Sequence, residues 1–332
     1  MSKNDDLENE LSEYIDNQRR ILNSVYDDFF GPLNVPSGVS DLDEAKKAEA
    51  AIDAAKAKAE AAQAEEKKEE PEIDPMDQLN ALIGLKTIKH DVAELTDFAK
   101  VQKMRKDAGL KSVPVSLHLV FSGNPGTGKT TVARILAKIY KQIGVLSKGQ
   151  LVEVDRSGLV AGYVGQTALK TAEAIEKALG GVLFIDEAYS LASGGENDFG
   201  REAIETILKG MEDNRDDLIV IVAGYDEKMD DFINSNPGLE SRFNKYFYFP
   251  DYDGDELMAI FNTMCKSNGY QLTEEAETYA KELFTSLYEE RDDNFGNGRE
   301  VRNRFENMIA RQANRVAKME SPTREDLMTI EK

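Results

Sequence analysis

The sequence predicts an α/β fold in which a parallel sheet is followed by a small helical domain. Short apolar runs alternate with segments whose apolar residues recur at helical spacing. This alternation is typical of a sheet with parallel strands. The predicted strands are Leu117–Ser122, Leu151–Val154, Val182–Ile185, Leu218–Ala223 and Tyr246–Phe249. After Pro250 the strand pattern stops, and three helices are predicted over 254–267, 274–290 and 298–318.

A glycine-rich motif, here called the P-loop, lies between the first predicted strand and the helical pattern after it. Its residues are Gly123, Asn124, Pro125, Gly126, Thr127, Gly128, Lys129 and Thr130. Such a turn binds phosphate because backbone N–H groups and the partial positive charge of the helix N-terminus converge on the phosphate oxygens. Lys129 would reach the β- and γ-phosphates, and the Thr130 hydroxyl would bind Mg²⁺. The alternative is an ordinary glycine turn between a strand and a helix.

Two adjacent carboxylates, Asp186 and Glu187, follow the apolar strand Val182–Ile185. Four successive apolar residues suit a central parallel strand that is buried on both faces. The carboxylates would then lie at the edge of the sheet where ligands bind in such folds. Asp186 would hold Mg²⁺ through its water shell, and Glu187 would polarise the attacking water as general base. The alternative is a strand that ends in a solvated acidic turn.

The composition is that of a globular chain of 332 residues, long enough for two or three domains. No apolar stretch approaches the length of a membrane span, and the N-terminus lacks the apolar core of a signal peptide. The single cysteine, Cys265, excludes an internal disulfide, favours a reducing cytoplasm and is expected to fill space in a helix. His90 and His118 have no cysteine or histidine partners in sequence, which favours structural roles over zinc ligation.

The net charge of −21 is unevenly distributed, with 21 acidic and 9 basic residues among the first 78. An acidic protein is repelled by the phosphates of nucleic acids and by anionic membranes. We therefore expect neither a nucleic acid nor a membrane as a partner.

Four segments follow from these patterns. They are an N-terminal amphipathic helix in residues 1–35, a linker rich in Ala, Glu and Lys in 36–75, an α/β domain in 76–250 and a helical domain in 251–332. The linker has too few large apolar residues for a core, and both a solvated helix and a disordered segment fit its composition. The N-terminal helix either docks a partner or substrate, or folds back onto the main body.

Together, the P-loop, the Asp-Glu strand and the helical C-terminal domain resemble the AAA+ ATPases over roughly residues 76–332. One branch of that family, which contains stage V sporulation protein K and the CbbX-type red Rubisco activases, is similar in detail. The similar segments are 82–85, 123–131, 181–189, 222–225 and 235–243. The resemblance implies an ATPase domain with a helical lid that uses ATP and Mg²⁺, and it extends the P-loop to Thr131.

The resemblance also implies roles for two arginines. Arg242 matches the arginine finger, whose guanidinium would stabilise charge on the γ-phosphate of a neighbouring subunit, so hydrolysis would require a ring. The alternative for Arg242 is a surface ion pair. Arg299 matches sensor 2 and would couple the angle of the lid to the nucleotide state of its own subunit. Arg302 and Arg304 lie close by but do not match, although Arg302 would share almost the same helix face.

Four further residues match family positions. Ile83 and Gly84 match an adenine-contacting turn, with a helix-start turn in the core as the alternative. Many AAA+ proteins have Asn or Thr at the sensor 1 position, where this chain has Tyr225 instead. Its hydroxyl would orient the water, or else Tyr225 is a packing residue. Tyr163 resembles the pore-loop aromatic of protein-remodelling rings, which grips an extended chain without sequence preference. The alternative for Tyr163 is packing beneath a flexible loop.

The sequence thus predicts a cytoplasmic ATPase that forms a homo-oligomeric ring, hexameric by family resemblance. It would couple ATP hydrolysis to the remodelling or threading of a protein client through a central pore. Two alternatives stay open. One is a Rubisco activase specifically, and the other is a low-turnover, ATP-dependent switch or scaffold that recruits a partner through its N-terminal helix.

Overall fold

The structure is a computed structural model that describes residues 73–111, 116–163, 165–194 and 198–331. The helix predicted for residues 1–35 lies outside the described residues. So does the linker predicted for 36–75, except for its last three positions.

A five-stranded parallel sheet forms the centre of the described chain, as predicted. Its strands are β1 (Leu119–Gly123), β2 (Leu151–Val154), β3 (Val182–Ile185), β4 (Ile219–Gly224) and β5 (Tyr246–Phe249). The order across the sheet is β2-β3-β4-β1-β5, and every pair is parallel. Every residue of β1, β3 and β4 is buried, which explains their uninterrupted apolar runs. At one edge, β5 alternates exposed tyrosines with buried phenylalanines.

Helices cover both faces of the sheet. They are α1 (Pro75–Ala81), α2 (Lys86–Asp107), α3 (Lys129–Gln142), α4 (Arg156–Leu159), α5 (Gln166–Ala178), α6 (Gly200–Asp213), α7 (Asp226–Asn234) and α8 (Pro237–Arg242). A short 3₁₀ helix spans Ala188–Leu191. Successive strand residues belong to different apolar clusters: Phe121 packs with α1–α3 on one face, and Val120 packs with α5–α8 on the other.

The segment before β1 forms two helices, α1 and α2, with a break between them. The chain leaves α1 at Ala81 and starts α2 only at Lys86. Gly84 and Leu85 between them have φ angles of +62° and +52°, which no α-helix tolerates. The ammonium of Lys89 donates to the carbonyl oxygen of Leu82 at 2.5 Å and so satisfies a carbonyl that the break exposes.

A helical lid follows β5. Its helices are α9 (Gly254–Ser267), α10 (Glu274–Glu289), α11 (Gly298–Val316) and α12 (Arg324–Met328). The three predicted helices agree with α9, α10 and α11 to within two residues at each end. The prediction that strands stop after Pro250 is wrong, because Gln271–Leu272 and Thr329–Ile330 pair in parallel as β6 and β7. Strands of two residues are too short to produce a recognisable alternation.

The lid packs directly onto the sheet domain. Leu257 and Phe261 of α9 and Phe305 of α11 belong to the same apolar cluster as Phe121 of β1. The hydroxyl of Tyr252 donates to the carbonyl oxygen of Thr127 in the P-loop at 3.1 Å. The first turn of the lid is thereby tied to the loop that follows β1. Within the described ranges, no helix combines the length and apolar character needed to cross a membrane.

Candidate functional site

The P-loop turns sharply between a buried strand and the N-terminus of α3. Gly126 and Gly128 have φ angles of +70° and +95°, a region that glycine adopts without strain. Gly128 is the N-cap of α3, and a Cβ on Gly123 would collide with the carbonyl oxygen of Phe249. The glycines therefore keep side chains away from the first N–H groups of α3, which is the geometry of an anion site.

Lys129 is the first residue of α3 and lies against the loop that precedes it. Its ammonium donates to the carbonyl oxygens of Gly123 and Asn124, each at 2.8 Å. Burial lowers the pKa of Lys129 to about 8, the carboxylate of Asp186 opposes this shift, and Arg299 adds to it. The loop thus holds the ammonium where it interacts with charges from both the sheet and the lid.

Asp186 and Glu187 follow β3 at the same edge of the sheet. The backbone N–H of Asp186 donates to the carbonyl oxygen of Val154 at 2.8 Å, which extends the β2–β3 pairing by one residue. Glu187 has a φ of +47°, an uncommon conformation for a residue with a Cβ. Its N–H donates to Oδ1 of Asp186 at 3.1 Å. This tight turn ends the strand and leaves the side chain of Glu187 exposed.

One pocket of about 210 Å³ brings most of the predicted site residues together. Those that line it are Gly123, Pro125, Gly126, Gly128, Lys129, Thr130, Thr131, Asp186, Glu187, Tyr225 and Arg299. Because β4 lies between β1 and β3, Gly224 and Tyr225 at its end are placed between the P-loop and the two carboxylates.

Two P-loop residues do not line this pocket. The amide of Asn124 donates instead to Oδ1 of Asp251 at 3.0 Å. Thr127 is fully buried, and its hydroxyl donates to the carbonyl oxygen of Asn124 at 2.8 Å. Both side chains stabilise the shape of the P-loop through these hydrogen bonds and are not part of the pocket lining.

The pocket also contains Arg302, which sequence reasoning set aside in favour of Arg299. Arg299 is exposed at the start of α11, and Arg302 follows one helical turn later on the same face. The guanidinium of Arg302 donates to Glu306 at 2.8 Å. Their spacing of three residues is the sequence signal from which both arginines could have been assigned to one pocket.

Tyr225 belongs to an aromatic pair beside the two carboxylates. Its ring centroid lies 6.3 Å from that of Tyr189, and the ammonium of Lys228 lies 4.9 Å from each centroid. Burial, and then the negative charge of Glu187, raise the pKa of Tyr189 to about 12. Tyr225 therefore both lines the pocket and packs against a second tyrosine that was not predicted.

Arg242 lies outside this pocket, near the other end of β1. Ser116, which precedes β1, donates from its hydroxyl to the carbonyl oxygen of Arg242 at 2.6 Å. The guanidinium of Arg242 lies 3.4 Å from Glu212 and donates to the carbonyl oxygen of Gly238 at 3.3 Å. The length of β1, about 15 Å for five residues, separates Arg242 from the P-loop of its own chain.

Ile83 and Gly84 also lie outside the lining of the pocket. Ile83 is partly buried and packs against the main apolar cluster. A Cβ on Gly84 would lie 2.5 Å from Oε1 of Glu256 in α9, so this turn contacts the lid. Their proposed contact with adenine stays a prediction.

Tyr163 lies in the loop between α4 and α5, and 74% of its surface is exposed. The base of this loop is fixed, because the N–H of Ala161 donates to the hydroxyl of Thr167 at 3.0 Å. Lys170 donates to the carbonyl oxygen of Ser157 at 2.6 Å. In this structure the tyrosine is presented to solvent and is not packed beneath the loop.

The three residues that the sequence analysis interpreted as structural, His118, Cys265 and His90, do not line the pocket. The Nδ1 of His118 accepts from the N–H of Val220 at 3.0 Å, and burial, with Arg242 adding to it, lowers the pKa of His118 to about 4. Cys265 is buried in α9, where burial raises its pKa to about 12. His90 lies on the surface of α2, 3.4 Å from Glu94.

The donor set of the pocket fits a magnesium nucleotide. Lys129, Arg299 and Arg302 supply positive charge for phosphates, and the 14-residue helix α3 presents its N-terminus to the same space. Thr130 and Asp186 supply the hydroxyl and carboxylate oxygens that Mg²⁺ accepts alongside phosphate. The described residues contain no group of three or more His, Cys, Asp or Glu side chains that could hold a metal by themselves.

Comparison with known proteins identifies the same two parts of the chain. A family model described as "ATPase family associated with various cellular activities (AAA)" matches residues 119–251, and an AAA lid domain model matches residues 253–332. These ranges correspond to the five-stranded sheet with its helices and to the helical lid.

Several curated relatives extend the match over most of their length. Stage V sporulation protein K of Bacillus subtilis (strain 168) is 47% identical over 254 residues, which cover 76% of this chain and 79% of that protein. The chloroplastic ribulose bisphosphate carboxylase/oxygenase activase of Cyanidioschyzon merolae (strain NIES-3377 / 10D) is 45% identical over 75% of this chain and 86% of its own. Protein CbbX of Cereibacter sphaeroides is 46% identical over 71% of this chain and 76% of its own. Because identity of this size covers more than three quarters of each relative, the chain belongs to the AAA+ ATPases, in the branch of stage V sporulation protein K and CbbX.

Proposed function

We propose that copies of this chain form a ring, hexameric by family resemblance, which couples ATP hydrolysis at the P-loop pocket to the remodelling of a protein client. The proposal rests on where the predicted site residues lie within one chain. The P-loop, both carboxylates and Arg299 line one pocket, whereas Arg242 lies near the opposite edge of the sheet. This separation supports a role for Arg242 at the pocket of another copy.

In the proposed reaction, the oxygen of a water molecule attacks the γ-phosphorus of ATP while Glu187 accepts a proton from that water. The bond between the γ-phosphorus and the β–γ bridging oxygen breaks, and ADP and phosphate leave. Thr130 and Asp186 would hold Mg²⁺, which supplies charge neutralisation to the phosphates when bound. Tyr225, which lines the pocket at the end of β4, would orient the water through its hydroxyl.

Lys129, Arg299 and Arg302, the three cations that line the pocket, would stabilise the negative charge that develops on the γ-phosphate. Lys129 is fixed by the carbonyl oxygens of the loop, and Arg299 enters from the lid. A guanidinium from Arg242 of the next copy would complete the set, because charge stabilisation of this kind is strongest where water is excluded. Release of Arg242 from Glu212, an interaction of 3.4 Å between partly exposed groups, would cost little.

Contact with the client is assigned to Tyr163. Its exposed ring stands on a loop whose base is anchored to α4 and α5, so movement of these helices would move the ring. An exposed aromatic side chain provides contact area with little loss of rotamer entropy and without sequence preference. The names of the relatives divide between a sporulation protein and Rubisco activases, so the client is proposed as a class, namely a folded or partly folded protein.

A glutamine substitution tests the catalytic assignment. Glu187→Gln keeps the shape of the side chain but removes the base, so ATP binding is expected to persist while turnover falls by about 10² or more. The measurements are equilibrium binding of a fluorescent ATP analogue and steady-state phosphate release, both with Mg²⁺. Glu289→Gln, an exposed residue at the end of α10, is the matched control and should hydrolyse ATP at the normal rate. Unchanged turnover in Glu187→Gln would refute the site.

A second substitution separates a remodelling motor from a low-turnover switch. Tyr163→Ala should keep basal ATPase activity but lose its stimulation by a protein client, while Tyr163→Phe keeps both. Tyr246→Ala removes another exposed tyrosine, from β5, and serves as the control. Full client stimulation in Tyr163→Ala would exclude the threading role and leave the switch.

A further inference from the structure

A single carboxylate, Asp251, bridges the P-loop and the lid. It lies just after β5, and only 18% of its side chain is exposed. Its Oδ1 accepts from the amide of Asn124 at 3.0 Å and from the amide of Asn297 at 2.7 Å. Its Oδ2 lies 3.5 Å from Nε of Arg291. One side chain thus accepts from an amide of the P-loop and an amide of the lid, and pairs with a cation of the lid.

Each amide partner is connected to a cation of the nucleotide pocket. The carbonyl oxygen of Asn124 accepts from the ammonium of Lys129 at 2.8 Å. Asn297 is the N-cap of α11, two residues before Arg299. A shift of either amide would therefore move the segment that carries a charge for the phosphates.

The backbone of Asn297 adopts a conformation that is uncommon for residues other than glycine. It is fully buried, and its φ is +47°. Its Oδ1 accepts from the N–H of Tyr252 at 2.8 Å, while its Nδ2 donates to Asp251 and to the carbonyl oxygen of Phe295 at 3.0 Å. These bonds use all but one of the donor and acceptor directions of the side chain and offset the backbone strain.

The backbone of the P-loop packs closely against the backbone at the start of α11. The N–H of Gly298 donates to the carbonyl oxygen of Gly126 at 3.0 Å. A Cβ on Gly126 would lie 2.7 Å from the backbone nitrogen of Arg299 and would collide with the carbonyl oxygen of Gly296. Close backbone packing keeps the two segments near each other, and the Asp251 bridge sets how they are aligned.

We propose that Asp251 is a positioning residue for ATP hydrolysis, which holds the P-loop and the start of α11 in register so that Lys129 and Arg299 face the same phosphates. The inference rests on the proposed nucleotide site. A carboxylate suits this role because it accepts several hydrogen bonds at once and also attracts the guanidinium of Arg291. Asp251 itself does not line the pocket, so it acts only through its partners.

The test is the steady-state ATPase activity of the full chain with Asp251→Ala, together with its melting temperature. Misalignment of charges that are needed in the transition state should lower kcat by about tenfold or more while KM for ATP changes by less than about threefold. Asp255→Ala, which removes an exposed carboxylate from the same end of the lid, should change neither constant. A kcat within about twofold of the wild type, or a rise in KM alone, would overturn the proposal.

Three further variants separate positioning from simple support of the fold. Asn297→Gly removes the amide but accepts the positive φ, so it should reproduce the loss of kcat even if Asp251→Ala does not fold. Arg291→Met removes the ion pair with Asp251 but leaves both amide bonds to its carboxylate, so it should have a smaller effect. The double variant Asp251→Ala/Asn297→Gly should be no slower than Asp251→Ala alone, because both changes break the same bridge.

Two outcomes keep this proposal distinct from the assignment of the site. If the losses of the two single changes multiply in the double variant, Asp251 and Asn297 act independently and the bridge is refuted. If Glu187→Gln hydrolyses ATP normally, the site itself is wrong. An inactive Glu187→Gln variant with a normal Asp251→Ala variant would refute only the positioning role.

Discussion

Arg299 and Arg302 show how one helical turn distributes charge at the pocket. Arg299 is exposed, and its charge already acts on Lys129. Arg302 shares part of its charge with Glu306 at 2.8 Å. The two residues line the same space but differ in how much charge they can offer to phosphate.

We expect Arg299→Met to lower kcat/KM for ATP by at least about tenfold, because it removes a charge that would stabilise the transition state. Arg302→Met should lower it by less than about threefold, since its guanidinium is already paired. Arg304→Met breaks the equivalent pair with Glu300 outside the pocket and is the control. A larger loss in Arg302→Met than in Arg299→Met would reverse the assignment of sensor 2.

His118 predicts a specific dependence of stability on pH. Its ordinary pKa of 6.5 applies to the unfolded chain, whereas burial and Arg242 lower it to about 4 in the folded state. Between these values only the unfolded chain takes up the proton. The free energy of unfolding should therefore be fully retained above pH 6.5 and fall by up to ~3 kcal/mol as the pH drops to 4.

Urea unfolding at several pH values between 7.5 and 4.5 measures this effect. His118→Asn keeps an acceptor for the N–H of Val220 but does not titrate, so it should lose less stability over the same range. Parallel losses in the wild type and the variant would show that other groups account for the pH dependence.

Sequence reasoning found the pocket residues that belong to contiguous motifs, such as Lys129 and Glu187. It did not find Asp251, which lies 127 positions from its partner Asn124. It also did not find Asn297, which lies 46 positions from Asp251. An aspartate after a strand and an asparagine before a helix have ordinary local explanations as a turn and a cap. Only the packing of the lid on the P-loop gives them a shared role.

At the scale of elements, the turn of the P-loop has to fit both a nucleotide and the lid. Gly126 and Gly109 make a useful comparison because both have a φ of +70°. A Cβ on Gly109 would meet nothing within 4 Å, whereas one on Gly126 would meet the backbone of the lid. The two positions separate conformational strain from contact.

Gly109→Ala should cost about 1 kcal/mol of stability through strain alone and leave ATPase activity unchanged. Gly126→Ala should lower both stability and ATP affinity, because the loop and the lid cannot both keep their places. Thermal melts and nucleotide titrations of the two variants measure this difference. Equal effects on ATP affinity would show that the contact between Gly126 and the lid is unimportant.

The strands of the central sheet and the long lid helices were predictable from sequence, whereas the break before α2 and the two-residue strands were not. The apolar runs of β1, β3 and β4 follow from burial on both faces, and the lid helices have clear periodicity. The break between α1 and α2 depends on Gly84 and Leu85, and a positive φ at a leucine has no sequence signal. The pairing of β6 with β7 joins residues 58 positions apart through tertiary packing.

At the scale of the whole molecule, hydrolysis in the proposed ring would depend on neighbouring copies, because Arg242 lies away from the P-loop of its own chain. Glu187→Gln lacks the base and Arg242→Ala lacks the finger, so each variant alone should be inactive. In mixed rings, a subunit with Glu187 intact can meet a neighbour with Arg242 intact, and up to about a quarter of the sites are then complete.

Mixing the two variants in equal amounts should therefore recover ATPase activity that neither shows alone. The control is each variant mixed with Glu187→Gln/Arg242→Ala, which restores no complete site. Phosphate release after subunit exchange is the measurement. Absence of recovery, in a sample whose mixed assembly is verified by tagged pull-down, would show that Arg242 does not act between copies.

The chain contains a single cysteine, and α9 keeps its thiol buried and protonated. Maleimides and similar dyes attack accessible thiolates, so Cys265 should stay silent under conditions that label a surface cysteine completely. A dye pair introduced across the sheet and the lid would then report their distance by energy transfer in an otherwise native background. The expected change in lid angle during turnover could then be tested in single molecules without first removing any natural residue.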